Sequence, residues 1–185
     1  LDGGSSWIDT NVGSGEDLGV VGLAVSASNP NQVYAQTWNG LFYSSQDQGL
    51  NWTQKSQIQD PSLTLSLTPI LRVDPEDSNH VFIGIEVENQ DKGRLMESLD
   101  GGSTFNLLFE SGKLRDVVLD LNQTDHIFLA STRGLFLSID SGQPWEQLCQ
   151  EEVLVLSISA TDSNLLLYGD PDGFIFKSLD HGQTS

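Results

Sequence analysis

Ser98-Leu99-Asp100-Gly101-Gly102-Ser103-Thr104-Phe105 is the stretch on which the fold of this chain turns, because it recurs. Near-copies stand at Asp2-Gly3-Gly4-Ser5-Ser6-Trp7, Ser45-Gln46-Asp47-Gln48-Gly49-Leu50-Asn51-Trp52, Ser138-Ile139-Asp140-Ser141-Gly142-Gln143-Pro144-Trp145 and Ser178-Leu179-Asp180-His181-Gly182-Gln183-Thr184. Their aspartates are 45, 53, 40 and 40 residues apart. Five copies of a Ser-x-Asp-x-Gly-x-Thr-Trp pattern in 185 residues define an internal repeat. A period of this length marks an array of supersecondary units.

The repetition extends upstream of each box. Val25, Val73, Leu119 and Ile158 each end an apolar stretch, and a polar turn follows each. Val33, Val81, Ile127 and Leu166 open a second apolar run, and a third restarts at Gly40, Gly93, Gly134 and Gly173. The runs are short, rich in Val, Ile, Leu and Phe, and bounded by Gly, Asn, Asp and Ser, which reads as strands. No segment sustains helical apolar spacing. Each unit therefore predicts strand, turn, strand, glycine turn, strand, box, strand. The unit from Val73 to Asp100 is about five residues longer than its siblings, with the excess around Glu86 to Lys92.

The pattern resembles the Asp-box (BNR) repeat propellers, a family that includes sialidases, xyloglucanases, sortilin-type receptors and photosystem II assembly factors. The resemblance covers essentially the whole chain and implies an all-β fold of four-stranded antiparallel blades. A single domain, 1–185, is expected, with units at roughly 5–52, 53–105, 106–145 and 146–185 and about four blade equivalents. Both ends fall in the same phase of the repeat. Residues 5–10 could supply a fourth strand to residues 153–180 and close a small ring. The preferred expectation is a segment of a larger propeller of roughly six to eight blades. A head-to-tail dimer is a third reading.

In the family the box forms the hairpin between the third and fourth strands, and here the expected structural residues are Asp2, Gly4 and Trp7; Asp47, Gly49 and Trp52; Asp100, Gly102 and Phe105; Asp140, Gly142 and Trp145; and Asp180 and Gly182. A short carboxylate can close an Asx-type turn, and glycine reaches positive φ without strain. The aromatic enters the fourth strand, where it can pack on the neighbouring blade. Each aspartate is thus expected to close its own hairpin and not to share a cation.

Eight Lys and Arg against 26 Asp and Glu give a formal charge of −18, which argues against nucleic-acid binding. No apolar run is long enough for a membrane helix. The single cysteine, Cys149, forbids a disulfide framework and is expected to be a buried small hydrophobe. His80, His126 and His181 show no HxH or HExxH spacing, so no metal site and no cofactor is expected. No GxSxG elbow is present, and sialidases of the family need an arginine triad that Arg72, Arg94, Arg115 and Arg133 do not form by context. No catalytic residue is assigned.

Candidate binding residues lie in the loops that depart most from the repeat: Trp38, the insertion residues Glu86, Glu88 and Asp91, then Arg133, Asp170 and Asp172. The charge points to a protein partner with a basic surface. The expected function is a non-enzymatic interaction module of an exported or extracytoplasmic protein. The alternatives are a piece of a glycan-binding or glycosidase propeller and a photosystem assembly factor-like docking protein. Two glycosylation sequons, at Asn51 and Asn122, fit an exported chain but arise readily by chance.

Overall fold

The structure, a computed structural model, describes residues 4–12, 19–58, 63–64, 70–87 and 89–183. Among them every regular element is a strand, and no helix is long and apolar enough to cross a membrane. The first antiparallel sheet contains β1 (Val20–Val25), β2 (Val33–Thr37), β3 (Leu41–Ser45) and β4 (Thr53–Gln57). The second contains β5 (Leu63–Thr64), β6 (Leu71–Val73), β7 (Val81–Val87), β8 (Gly93–Ser98) and β9 (Asn106–Ser111). The third contains β10 (Leu114–Leu119), β11 (Ile127–Ser131), β12 (Gly134–Ser138) and β13 (Trp145–Cys149). The fourth contains β14 (Val155–Ile158), β15 (Leu166–Gly169) and β16 (Ile175–Ser178).

These bounds follow the repeat. The four anchors Val25, Val73, Leu119 and Ile158 end the innermost strands, and the serine of each box from Ser45 onward ends a third strand. The strand after each box pairs with the strand before it, so each sheet reaches past its box to Gln57, Ser111 or Cys149. The innermost strands β1, β6, β10 and β14 touch in succession. In the second sheet the inner position is divided: β6 pairs with Val81 to Ile83, and β5 pairs with Glu86 and Val87. The longer repeat unit therefore shows in part as a longer β7 and a split inner strand, while Asn89 to Lys92 stay outside the strands.

Three apolar cores lie at the three junctions between sheets. Tyr34, Phe42, Leu71, Val81 and Ile83 join the first to the second. Phe82, Leu95, Leu114, Val117, Ile127 and Leu129 join the second to the third. Phe128, Leu135, Leu137, Val153, Leu156 and Leu166 join the third to the fourth. Strands β2 and β11 are buried along their whole length, polar Gln36, Thr37 and Ser131 included, whereas β4 and β13 are largely exposed. Residues 5–10 form no strand, and Trp7 and Ile8 are 88% and 78% exposed, so the described residues do not close a small ring. Asp2 lies outside the described residues.

One register shift recurs. Each outer strand bulges at the same place, inserting Lys55, Leu108 or Leu148 against a third strand that has no matching residue. A bulge re-aims the side chain it carries. Leu108 thereby lies over Gly142 of the next box, and Leu148 over Gly182, while Phe42 covers Gly102. A Cβ on Gly142 would sit 2.5 Å from Leu108 Cδ1, and that glycine has φ +113°. Gly142→Ala therefore combines backbone strain with overpacking and should destabilise by about 2–5 kcal/mol. Gly173, at φ +90° with open space around it, should lose only about 1–2 kcal/mol on the same change. Urea unfolding of both variants checks the difference.

Candidate functional site

The blades present two unlike faces. One carries the hairpins between second and third strands together with the returns from each outer strand to the next inner one. The other carries the boxes and the turns between first and second strands. Four of the candidate binding positions fall on hairpins of the first face: Trp38 between β2 and β3, Asp91 between β7 and β8, Arg133 between β11 and β12, and Asp172 between β15 and β16. Asp170 begins that last hairpin and its carboxylate accepts the Phe174 N–H at 2.8 Å. Trp38 is 52% exposed. Glu86 belongs to β7 and is half-buried, and Glu88 lies outside the described residues.

The structure brings two of these residues together. Asp91 accepts a hydrogen bond from the Thr132 hydroxyl at 2.8 Å and lies 3.6 Å from Arg133 Nε, so the hairpins of two blades are tied. The Thr132 hydroxyl, with Arg133 beside it, holds the Asp91 carboxyl below its ordinary value. Beneath them Glu110 takes both Lys92 at 2.8 Å and Arg94 at 2.9 Å. Arg72 pairs with Asp116 at 2.9 Å and Arg115 with Glu152 at 2.7 Å. Every arginine of the chain thus faces its own carboxylate, and the four do not share one anion. Beside Asp170 and Glu151, a groove of about 540 Å³ between the third and fourth sheets is lined by Leu148, Tyr168 and Phe176. Cys149 lines it too and is half-buried. Burial pushes the Tyr168 hydroxyl up to about 12.

On the other face each box is built around its serine. Gly49, Gly102, Gly142 and Gly182 each donate their backbone N–H to the hydroxyl of Ser45, Ser98, Ser138 or Ser178, at 2.8 to 2.9 Å. That hydroxyl in turn donates to the carboxylate of Asp47, Asp100 or Asp180 at 2.6 to 2.8 Å. The two turn residues have positive φ in each of the four boxes from Ser45 onward, including non-glycine Gln48, Ser141 and His181. Asp100 also accepts the Thr104 N–H at 2.9 Å and the Thr104 hydroxyl at 2.8 Å. These bonds, the backbone one foremost, lower the Asp100 carboxyl to about 2. The Asn51 side-chain amide, followed by its N–H, does the same for Asp47. In the fourth box the corresponding residue is Pro144, which has no N–H, and the Asp140 carboxylate accepts no hydrogen bond among the described residues. Phe105 packs edge-on to Phe42 of the preceding sheet, whereas Trp145 stacks on Phe109 of the sheet before its own, with ring centroids 5.1 and 4.5 Å apart.

The same face holds a cluster that spacing in the sequence does not disclose. Asp120, His126 and His181 place one donor atom each within 4.8 Å of one another. Asp120 and His126 start and end the turn between β10 and β11, and His181 is the fourth residue of the last box, directly after its aspartate. The first-to-second-strand turn of one blade thus meets the box of the next. Asp120 is fully buried. Its Oδ1 accepts the N–H of Asn122 at 2.8 Å and the Ser163 hydroxyl at 2.9 Å, whereas its Oδ2 has no directed hydrogen bond. Burial, then the neighbouring His126, holds the His181 ring below the usual histidine range.

No protein-family model matches this chain, and no curated protein matches it. Solved structures do. The GH74 xyloglucanase from Xanthomonas campestris aligns with a TM-score of 0.70 at 18% identity, over 94% of this chain and 31% of that one. YCF48 bound to D1 peptide aligns at 0.53 and 14% identity, over 84% and 52%. A nidogen/laminin complex aligns at 0.59 and 12% identity, over 84% and 57%. The chain therefore spans under a third of the xyloglucanase and about half of the other two. At these identities the likeness establishes the fold: an all-β propeller of antiparallel blades, as the Asp-box repeats imply.

The unequal boxes predict unequal effects. Asp100→Ala should destabilise by about 1–2 kcal/mol, the low end for lost charged hydrogen bonds because the group is exposed. Asp140→Ala should stay within about 0.5 kcal/mol. Because the folded-state values of Asp47 and Asp100 are depressed, their contribution is complete above the unfolded value of about 3.9 and is lost as pH falls toward about 2. Unfolding midpoints measured through that range should decline, and less steeply in Asp100→Asn.

Proposed function

We propose that this chain is a partner-binding propeller segment whose hairpin face docks a protein carrying a basic surface, and that it performs no catalysis. The observation that carries this reading is the charge arrangement on that face. All four arginines are matched to carboxylates, so the excess acid, including exposed Asp172 and Glu151 at the fourth blade, stands uncompensated on the face that also exposes Trp38 at the first. An exposed aromatic beside unpaired charge supplies both an apolar anchor and steering. Two of the similar propellers support the reading, since one was solved with a peptide and the other in a protein complex. Export from the cytoplasm belongs to the same proposal.

The glycan-binding alternative has its own support in the aromatic groove, where Tyr168 stacks on Phe176 at 4.7 Å beside Glu151 and Asp170. A surface-binding assay with cationic peptides and, separately, xyloglucan oligosaccharides separates the two. We expect peptide association that slows as salt rises, because exposed charges are screened over about 8 Å at physiological ionic strength. Asp172→Asn with Glu151→Gln should lower the on-rate more than it raises the off-rate, and Trp38→Ala should do the reverse. Retention of the oligosaccharide and not of any peptide would favour the alternative; an on-rate indifferent to salt and to the double change would remove the hairpin face from the interface.

A further inference from the structure

We infer that Asp120, His126 and His181 form a binding site for a divalent transition metal of the zinc class, bridging the third and fourth blades on the box face. His181 Nε2 lies 3.3 Å from Asp120 Oδ2 and 3.4 Å from His126 Nδ1. Three ligands around a tetrahedral zinc, each about 2.0–2.1 Å from the ion, stand about 3.4 Å from one another. Those two edges match that spacing, and the Asp120–His126 edge, within 4.8 Å, is looser. Two imidazole nitrogens and one carboxylate oxygen are also a donor set that zinc takes readily.

Protons alone serve the cluster poorly. A single hydrogen on His181 Nε2 would have to be shared between an oxygen and a nitrogen, both beyond the roughly 2.7–3.2 Å of good hydrogen bonds. The fully buried Asp120 Oδ2 would meanwhile keep no directed donor, a state that is expensive for a carboxylate. A cation accepts all three lone pairs at once. The surroundings already fix the ligands: the bonds to Asp120 Oδ1 aim Oδ2 inward, and His126 Nε2, on the far side of its ring, faces Asp125 Oδ1 at 3.8 Å. Outer contacts of this kind orient metal ligands and set the tautomer of a histidine.

The chain contains its own contrast. In the preceding blade the equivalent turn holds Asp74 and His80, but His80 Nδ1 faces Asp74 at 3.3 Å and Nε2 faces Glu97 at 3.4 Å. Each nitrogen there meets a carboxylate, and a proton on either satisfies it. The second histidine is missing because the next box has Ser141 where the last one has His181. His181 also covers the ring of Phe128 at 5.2 Å, so the site sits on the apolar junction of the two blades.

The other repeats show which substitutions the backbone tolerates. Gln48 occupies the His181 position of an earlier box with the same φ of 65°, and Gln32 occupies the His126 position of an earlier turn. His181→Gln and His126→Gln are therefore the variants of choice, with His80→Gln as control. The whole chain, stripped of metal with a chelator, is titrated with zinc chloride by calorimetry, and cobalt is used as a spectroscopic probe. One equivalent should bind, cobalt should give the intense visible bands of a tetrahedral site, and the melting temperature should rise with zinc. Each of the two variants should lose about 100-fold or more in affinity, and His80→Gln should lose nothing. Proton–nitrogen NMR of the unmodified chain reads the same question without mutation: zinc should shift the ring nitrogens of His126 and His181 and leave those of His80 in place. No saturable binding, affinity unchanged from the unmodified chain in His126→Gln and His181→Gln, or shifts confined to His80 would overturn the assignment.

Discussion

A serine hydroxyl, buried in the first three blades and half-buried in the fourth, organises every blade. In each of the four complete boxes it receives the backbone N–H of the glycine four residues on, at 2.8 to 2.9 Å. That single bond closes the hairpin between third and fourth strands with both turn residues at positive φ. It also fixes where the glycine lies, and the glycine is the surface on which the preceding blade rests. The aspartate after which such repeats are known is secondary in this respect. Asp140 has lost its carboxylate contacts to Pro144, yet Ser138 and Gly142 keep theirs and the third sheet is as regular as the others.

This division of labour assigns the two faces different freedoms. On the box face, short hydrogen bonds repeat from blade to blade and the residues that make them cannot vary far. On the hairpin face the loops differ in length and charge, and the ties there are ion pairs such as Arg133 with Asp91 and Lys92 with Glu110. Partly exposed pairs of this kind contribute little to stability, typically up to about 1 kcal/mol each. They hold the loops in register while leaving their chemistry open to change, as a scaffold for recognition requires.

Most of the fold was legible in the sequence because periodicity and burial coincide in it. Val33, Val81, Ile127 and Leu166 open second strands as their spacing predicts, and Ser45, Ser98, Ser138 and Ser178 close third strands. What could not be read depends on relations between units. Of the extra residues near Glu86, which read as a loop, Glu86 and Val87 instead lengthen β7, because residues 63–64 supply a second inner partner for it. Lys55, Leu108 and Leu148 carry no mark of the bulge they form, since a bulge is a mismatch between two strands and not a property of one. His126 and His181 are 55 residues apart, and the ring stacking that aligns them arises only when two blades pack. A comparison of each unit with its neighbours would have given one hint: histidine stands at a box position that Gln48, Gly101 and Ser141 occupy elsewhere.

The seating of Phe42 on Gly102, of Leu108 on Gly142 and of Leu148 on Gly182 makes each junction a third or outer strand of one blade against the box of the next. Coupling therefore runs between nearest neighbours only, and the chain behaves as a row of linked units whose cooperativity is the product of successive junctions. In such a row the weakest link determines where order is first lost.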